Sequence, residues 1–471
     1  MKYNTLYKAV ALGISIIAAA SAHADDQAIT GNGASFNLGE AKVTLGGFIA
    51  AEGYYRNRDQ SADIGSSFTA LPLANTDANH LTNNGLTARQ SRLSLLIQGP
   101  EISGIKPEAY YEGDFLGSAL TANSKQSNSY TPRARQLFMD FTTDYGLQVL
   151  AGQAWSLATQ NKVGITARKE NAPLTIDAQY VPGFTWTRNP QLRVVEKFND
   201  MFSAGMSLEN AQAIVGPAKA PAGSTVTTAI AGSANNNSTV NYTTDSIPDV
   251  IGKVAIDPGF GHFEALAMVR NFRDRVDPTA GGPAAGSNKT ATAGGWGVNF
   301  IVPVVPKYLD FQGSVLNGKG IGRYGTSTLP DYTTKPDGSI SAISETQALI
   351  GLVAHPTPIL DLYAYAGMEK ASRDDQGAGY GYGAQPAGVN IANCALSTSG
   401  SVAASTCNIS TVKQVTVGGW YKFYQGNMGN MQAGLQYSHT SADAFSDAAG
   451  NEPKGSMNAA FFSLRYYPFQ K

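Results

Sequence analysis

The chain has 471 residues, of which 15% are charged and 10% aromatic, with 51 glycines and a formal net charge of −1. The charged fraction is well below the ~25% of soluble globular proteins. The near-neutral balance excludes the basic footprint of a nucleic-acid binder, and the aromatic content excludes a disordered chain.

The first element is a leader. "MKYNTLYK" carries Lys2 and Lys8, "AVALGISIIAAASA" is an apolar run of 14, and Ala22 and Ala24 precede an acidic start. This order predicts a secretory signal peptide over 1–24, cleaved after Ala24. A membrane anchor needs ~20 apolar residues. Cleavage removes two lysines and no acid, taking the net charge from −1 to −3. Beyond residue 24 no apolar stretch approaches the ~18 residues of a helical span. The mature chain is therefore soluble outside the cytoplasm or embedded as a closed barrel, since only helices and closed barrels satisfy backbone polar groups in lipid.

Residues 25–41 read as a short periplasmic segment. From residue 42 onward the pattern has period two, the mark of a strand with one dry and one wet face. In "ILDLYAYAGMEK", Leu360, Leu362, Ala364, Ala366 and Met368 alternate with Asp361, Tyr363, Tyr365, Gly367 and Glu369. "KPEAYYEGDF" separates Ala109, Tyr111 and Phe115 from Glu108, Tyr110, Glu112 and Asp114. About sixteen such strands are predicted, at 42–56, 87–98, 105–116, 131–142, 146–156, 190–198, 201–210, 248–257, 261–272, 293–303, 307–317, 344–355, 358–370, 411–424, 428–440 and 457–468. Segments of ~10 residues suit tilted membrane strands.

The connections alternate. Short ones such as "TDYG", "PGFG" and "QGNM" come after every second strand. Long ones fall at 57–86, 117–130, 157–189, 211–247, 273–292, 318–343, 371–410 and 441–456. Short periplasmic turns at one end and long extracellular loops at the other are the pattern of an outer-membrane barrel. The fold class predicted over 42–471 is all-β: a transmembrane antiparallel β-barrel wide enough for an aqueous channel. Lipid is then the oil against the aliphatic face. The closing "MNAAFFSLRYYPFQK" sets Phe462, Leu464 and Tyr466 against Ser463 and Arg465, as an interfacial aromatic girdle requires.

Cys394 and Cys407 bracket a Ser/Ala-rich loop. An exported chain favours a disulfide over two free thiols. No histidine lies near enough for a metal site. His80, His262, His355 and His439 form no ligand pair at metal spacing. "GAGYGYG" at 377–383 imitates a phosphate loop but lacks the strand-turn-helix context. No cofactor, metal or nucleic acid is expected.

The ordered stretches "LTARQSRLSLLIQGP", "PEAYYEGDF", "RARQLFMDF", "LQVLAGQAWS" and "RNPQLRVV" resemble those of trimeric outer-membrane porins, in particular the DcaP-like porins associated with dicarboxylates and other small anions. The resemblance implies a sixteen-stranded barrel, a homotrimer in outer-membrane lipid, and an inward-folded third long loop, 157–189, that narrows the pore. Some members carry a periplasmic helical segment before the barrel; 25–41 is too short for one.

In a narrow water path between low-dielectric walls, fixed charges set selectivity. The candidates on the third loop and its base are Arg168, Lys169, Asp177 and Arg188, with Lys162, Glu170 and Trp186 nearby; those on the wall are Arg92, Glu112, Asp114 and Arg193. Arg133 and Arg135 share the parity of the lipid-facing Leu137 and Met139, so they lie above the hydrocarbon, at a subunit interface or before a bulge. Arginine's planar fork suits carboxylate and phosphate ligands.

The leading expectation is a passive pore for small hydrophilic solutes, with no enzymatic reaction, and a preference for small anions is its finer form. A narrower reading is a dicarboxylate or phosphate channel. An outer-membrane lipase would need His439 with Ser438 or Ser463, and an adhesin would use loops such as 371–410.

Overall fold

A computed structural model describes residues 34–60, 62–73, 76–117, 131–231, 240–403 and 405–470. The signal peptide expected over 1–24 lies outside them. The wall consists of sixteen strands: β1 (Ala41–Arg56), β2 (Arg92–Gln98), β3 (Ile105–Asp114), β4 (Arg133–Thr143), β5 (Leu147–Trp155), β6 (Arg188–Lys197), β7 (Phe202–Glu209), β8 (Asp249–Ile256), β9 (His262–Pro278), β10 (Ser287–Val305), β11 (Leu309–Lys319), β12 (Ser344–Thr357), β13 (Leu360–Ala371), β14 (Thr406–Gly426), β15 (Gly429–Ala444) and β16 (Lys454–Tyr467). Each pairs antiparallel with the next. β16 returns to β1 from Ile49↔Tyr466 to Arg56↔Ala459 and closes the barrel. Closure leaves no sheet edge to hydrogen-bond in lipid.

Alternation decides which side chain faces which medium. On β13, Leu362 is 43% exposed whereas Asp361, Tyr363 and Tyr365 are buried. The outer face carries Ile350, Leu352, Val415, Val417, Leu435, Phe462 and Leu464, all exposed. An exposed apolar belt of this extent needs acyl chains around it. No helix among the described residues is long and apolar enough to cross a membrane; the chain spans with strands.

Four details differ from the sequence pattern, each for a local reason. The expected strand 87–98 is broken: Asn83–Thr87 pairs with the top of β1, and β2 begins only at Arg92. Within the break, Ser91 Oγ accepts the Ala50 N–H at 2.9 Å in place of a backbone carbonyl. The predicted loop 273–292 is largely strand, because β9 and β10 stay paired up to Val276↔Ser287. The outward Asn271, Arg273 and Arg275 are polar there, and the buried inward side mixes Asp274 with Phe272 and Val276, so the hydrophobic alternation stops while the ladder continues. Ala34–Leu38, inside the segment expected to precede the barrel, forms a strand on Ala41–Leu45, along the edge of β1 that β16 leaves uncovered. Finally, the register slips between Glu112 and Gly113 opposite Gln136 and Ala134. This bulge turns Arg135 inward, so that Arg135 and Gln136 are both buried while Leu137 and Met139 remain exposed.

Candidate functional site

Residues 156–187, between β5 and β6, run inside the barrel. Polar wall residues hold the first limb: Lys253 Nζ donates to Thr159 O (2.7 Å) and Asn161 Oδ1 (2.9 Å). Glu264 accepts the Asn161 N–H at 2.9 Å, and Gln160 Nε2 donates to Phe300 O at 2.8 Å. The middle is held by β14 and β15. Trp420 Nε1 donates to Leu174 O (2.8 Å), and Gln436 Oε1 accepts the N–H groups of Ile176 (2.5 Å) and Asp177 (3.2 Å). The last limb meets β13, where Glu369 Oε1 accepts the Gly183 N–H at 2.8 Å. Two glycines permit that contact. Gly183 has a φ of +90°, and a Cβ on it would overlap the Ala348 carbonyl oxygen; a Cβ on Gly367 would overlap that of Pro182.

The inner wall is not uniformly wet. Leu349 and Val353 of β12, Tyr363 and Tyr365 of β13, Trp420 of β14 and Phe461 of β16 point inward and are buried. They form one cluster with Leu174, Ile176, Val181 and Phe184 of the inner loop, with Ile64 and Phe68, and with Leu329 and Ile343. Segments 62–73 and 320–343 therefore share the filling of this side. The sequence expectation of a hydrophilic lining fails there, because loops rather than water cover those side chains.

The opposite side is charged. Arg133 grips Asp114 with two bonds, Nε to Oδ1 at 3.0 Å and Nη2 to Oδ2 at 2.7 Å. Arg135, turned in by the bulge, donates to Glu112 Oε1 (2.6 Å), Asp114 Oδ2 (3.3 Å) and Tyr180 OH (3.3 Å). Arg188 stacks on Trp155 with its guanidinium carbon 4.8 Å from the ring centroid, and Arg135 lies 5.8 Å from the same ring. Arg188 Nη1 is buried and meets no acceptor among the described residues; neither does Trp186 Nε1, two positions back on the same extended segment.

Of the predicted site residues, Glu112, Asp114 and Arg188 are thus brought together, joined by the ambiguous Arg133 and Arg135. Arg168 pairs with Glu108 nearer the short-turn end, with Lys169 beside it, whose ammonium burial pushes toward the neutral form. Asp177 Oδ1 accepts the N–H groups of Ser66 and Gln179, both at 2.9 Å. Burial raises its carboxyl pKa in spite of those bonds. Arg193 is buried, donating to Gln191 Oε1 (2.9 Å) and Trp155 O. Arg92 is buried on β2 with its guanidinium carbon 5.3 Å from the Phe48 ring. Sequence reasoning missed Arg270. It is buried in β9 and bonds Asp249 (3.0 Å) and Asp331 (2.5 Å), tying 320–343 to the wall. An inward arginine on a strand was the available signal; its loop partner had none.

Cys394 and Cys407 are joined by a disulfide. The lipase pairing is not assembled. His439 is exposed and bonds Asn458 Oδ1 through Nδ1 at 2.7 Å, while Ser438 and Ser463 are buried on the inner face.

A closed sixteen-stranded antiparallel barrel with a loop held against its inner wall is the porin type of fold. The chain is similar to DcaP, an outer membrane channel of Acinetobacter baumannii, with a TM-score of 0.61 and 17% identity over 92% of this chain and 100% of that one. An anion-selective porin from Comamonas acidovorans aligns with a TM-score of 0.46 and 12% identity, over 91% of this chain and all of that one. OmpT of Vibrio cholerae aligns with the same score at 10% identity, over 92% and 99%. No family model matches the chain, and no curated protein does.

Proposed function

We propose that this chain is an outer-membrane pore of a Gram-negative bacterium, passing small hydrophilic solutes down their gradients with a preference for small anions. The short turns face the periplasm and the long loops face outward. Residues 156–187 set the constriction, and the path runs on the β3–β6 side, where Arg133, Arg135 and Arg188 outnumber Glu112 and Asp114. The observation that carries the anion preference is Arg188: a guanidinium on an aromatic face, with a buried nitrogen lacking an acceptor, beside two further arginines. Leaving such a donor unmet costs about 1–3 kcal/mol, which a passing carboxylate or phosphate recovers. The likeness to DcaP, itself an outer membrane channel, supports the pore reading. The sequence resemblance supports a homotrimer.

Reversal potentials across planar bilayers in a salt gradient test this. The wild type is expected to prefer anions, Arg188→Ala to approach neutrality, and Arg188→Glu to prefer cations. A cation-preferring wild type removes the anion reading, and absence of conductance removes the pore.

A further inference from the structure

Near the short turns the inner loop is fastened by a histidine. His262, the first residue of β9, points inward with its side chain 3% exposed. Its Nδ1 lies 2.7 Å from Asp257 Oδ1, in the turn between β8 and β9, and its Nε2 lies 3.0 Å from Glu264 Oε1. Neutral imidazole has one N–H, so only imidazolium donates to both carboxylates. Each carboxylate also holds a backbone N–H of the inner loop. Asp257 Oδ2 accepts that of Gly164 at 3.0 Å, and Glu264 Oε1 accepts that of Asn161 at 2.9 Å. The other charged groups facing this network are Lys253 of β8, 2.7 Å from Glu264, and Lys169 of the loop, which feels the charge of Asp257. Asn299 of β10 adds a neutral donor, 2.6 Å from Glu264 Oε2.

Residues 160–171 fold back on themselves, with the Lys162 N–H on Lys169 O (2.8 Å) and the Asn171 N–H on Gln160 O (2.7 Å). The lobe so formed is a crossbar. Its Asn161–Gly164 end rests on β9 and the β8–β9 turn, while Arg168 reaches Glu108 on β3, six strands away around the wall. Whatever holds the first end therefore fixes where Arg168 and Lys169 stand in the bore. Loss of the His262 proton leaves a ring lone pair against one of the two carboxylates. That contact is repulsive, and in either tautomer it falls on a carboxylate that carries the loop. Lys253 and Gln160 still hold 159–161, so the release is confined to the lobe.

We propose that protonated His262 is a positioning residue for the constriction: a clasp that holds the 160–171 lobe, and with it Arg168, in the bore and releases it as the periplasmic pH rises. This rests on the reading of 156–187 as the constriction. The test follows hydrogen exchange at Asn161 and Gly164 in the full-length barrel in detergent, relative to intrinsic rates, across the range where imidazole titrates, about pH 6 to 9. Wild-type protection at both amides is expected to fall at least about tenfold over that range, as a charge-assisted bond is lost. His262→Gln is expected to show the low protection at every pH, and Asp257→Asn, a change in the turn that leaves the strand intact, to flatten the profile. Constant wild-type protection, or the same pH slope in His262→Gln, overturns the proposal. Single-channel conductance over the same range is expected to rise with pH in the wild type and to stay level in His262→Gln. A level wild-type conductance beside changing exchange overturns the positioning role. Absence of conductance in every protein strikes the pore reading, while the exchange still reads the clasp by itself.

Discussion

The two sides of the lumen solve the same problem in opposite ways. On the β12–β16 side, inward Leu349, Val353, Trp420 and Phe461 are sealed by three loops into an apolar cluster. On the β3–β6 side, inward Glu112, Asp114 and Arg135 pair with one another and with Arg133. Both arrangements remove inner wall from bulk water, the first by apolar contact and the second by ion pairing. The difference teaches that a sixteen-stranded barrel can be narrowed asymmetrically, the apolar packing acting as the fixed wall against which a charged path is defined.

The largest break in that asymmetry comes from Arg270→Ala. Removing this guanidinium leaves Asp249 and Asp331 buried without their partner, and breaking a buried pair in this way costs about 3–5 kcal/mol. Segment 320–343, with Leu329 and Ile343, then loses its ion pair through Asp331 and keeps the Tyr324 OH on Asp249 (2.9 Å) and the Tyr332 OH on Asp274 (2.6 Å) as side-chain bonds to β8 and β9. The expected outcome is lower thermal stability and a larger, less anion-preferring conductance, because solute now passes beside the arginines rather than through them. An unchanged conductance would mean that 320–343 does not bound the path.

A smaller effect is expected from Gly367→Val. The added side chain collides with the Pro182 carbonyl, and overpacking of this kind costs about 1–3 kcal/mol. The last limb of 156–187 is then lifted from β13, and single-channel recordings should show raised conductance with flicker. Smaller again is Trp420→Phe. It keeps the ring in the cluster but deletes the bond to Leu174 O, worth about 1 kcal/mol. Mean conductance should hold while current noise rises.

The wall was legible in the sequence because lipid on one side and polar groups on the other write a period of two into each strand. Where that contrast ends, the reading fails: the upper part of β9 turns polar Asn271, Arg273 and Arg275 outward and buries Asp274 beside Phe272 and Val276, and with the facing part of β10 it looked like loop. Arg135 could be read only as an ambiguity, since a bulge is decided by the ladder between β3 and β4. The inward course of 156–187 came from resemblance, and its anchors did not, because Gln436, Trp420 and Glu369 lie far along the chain. The apolar inner wall was visible as Leu349 and Val353 on the supposedly wet side of β12, but nothing local announced the loops that cover them.

The smallest effect lies outside the lumen and sharpens the comparison by leaving it untouched. Asp447 accepts bonds from the Asn451 side chain (2.8 Å) and the Ile391 N–H (3.1 Å), joining 445–453 to the loop that carries the disulfide. Led by the Asn451 bond, these donors pull its carboxyl down to about 2. A carboxylate held below its ordinary value of about 4 stabilises the folded loop above that value. The contribution fades as the pH falls through the folded value and is absent below it. Hydrogen exchange at Ile391, taken relative to its intrinsic rate, should therefore stay constant from neutrality to about pH 5 and rise only between about 4 and 2. Asp447→Asn should flatten that rise, and single-channel conductance should not follow it in either protein. A conductance change tracking the Ile391 amide would show that the outer loops and the lumen filling move as one body.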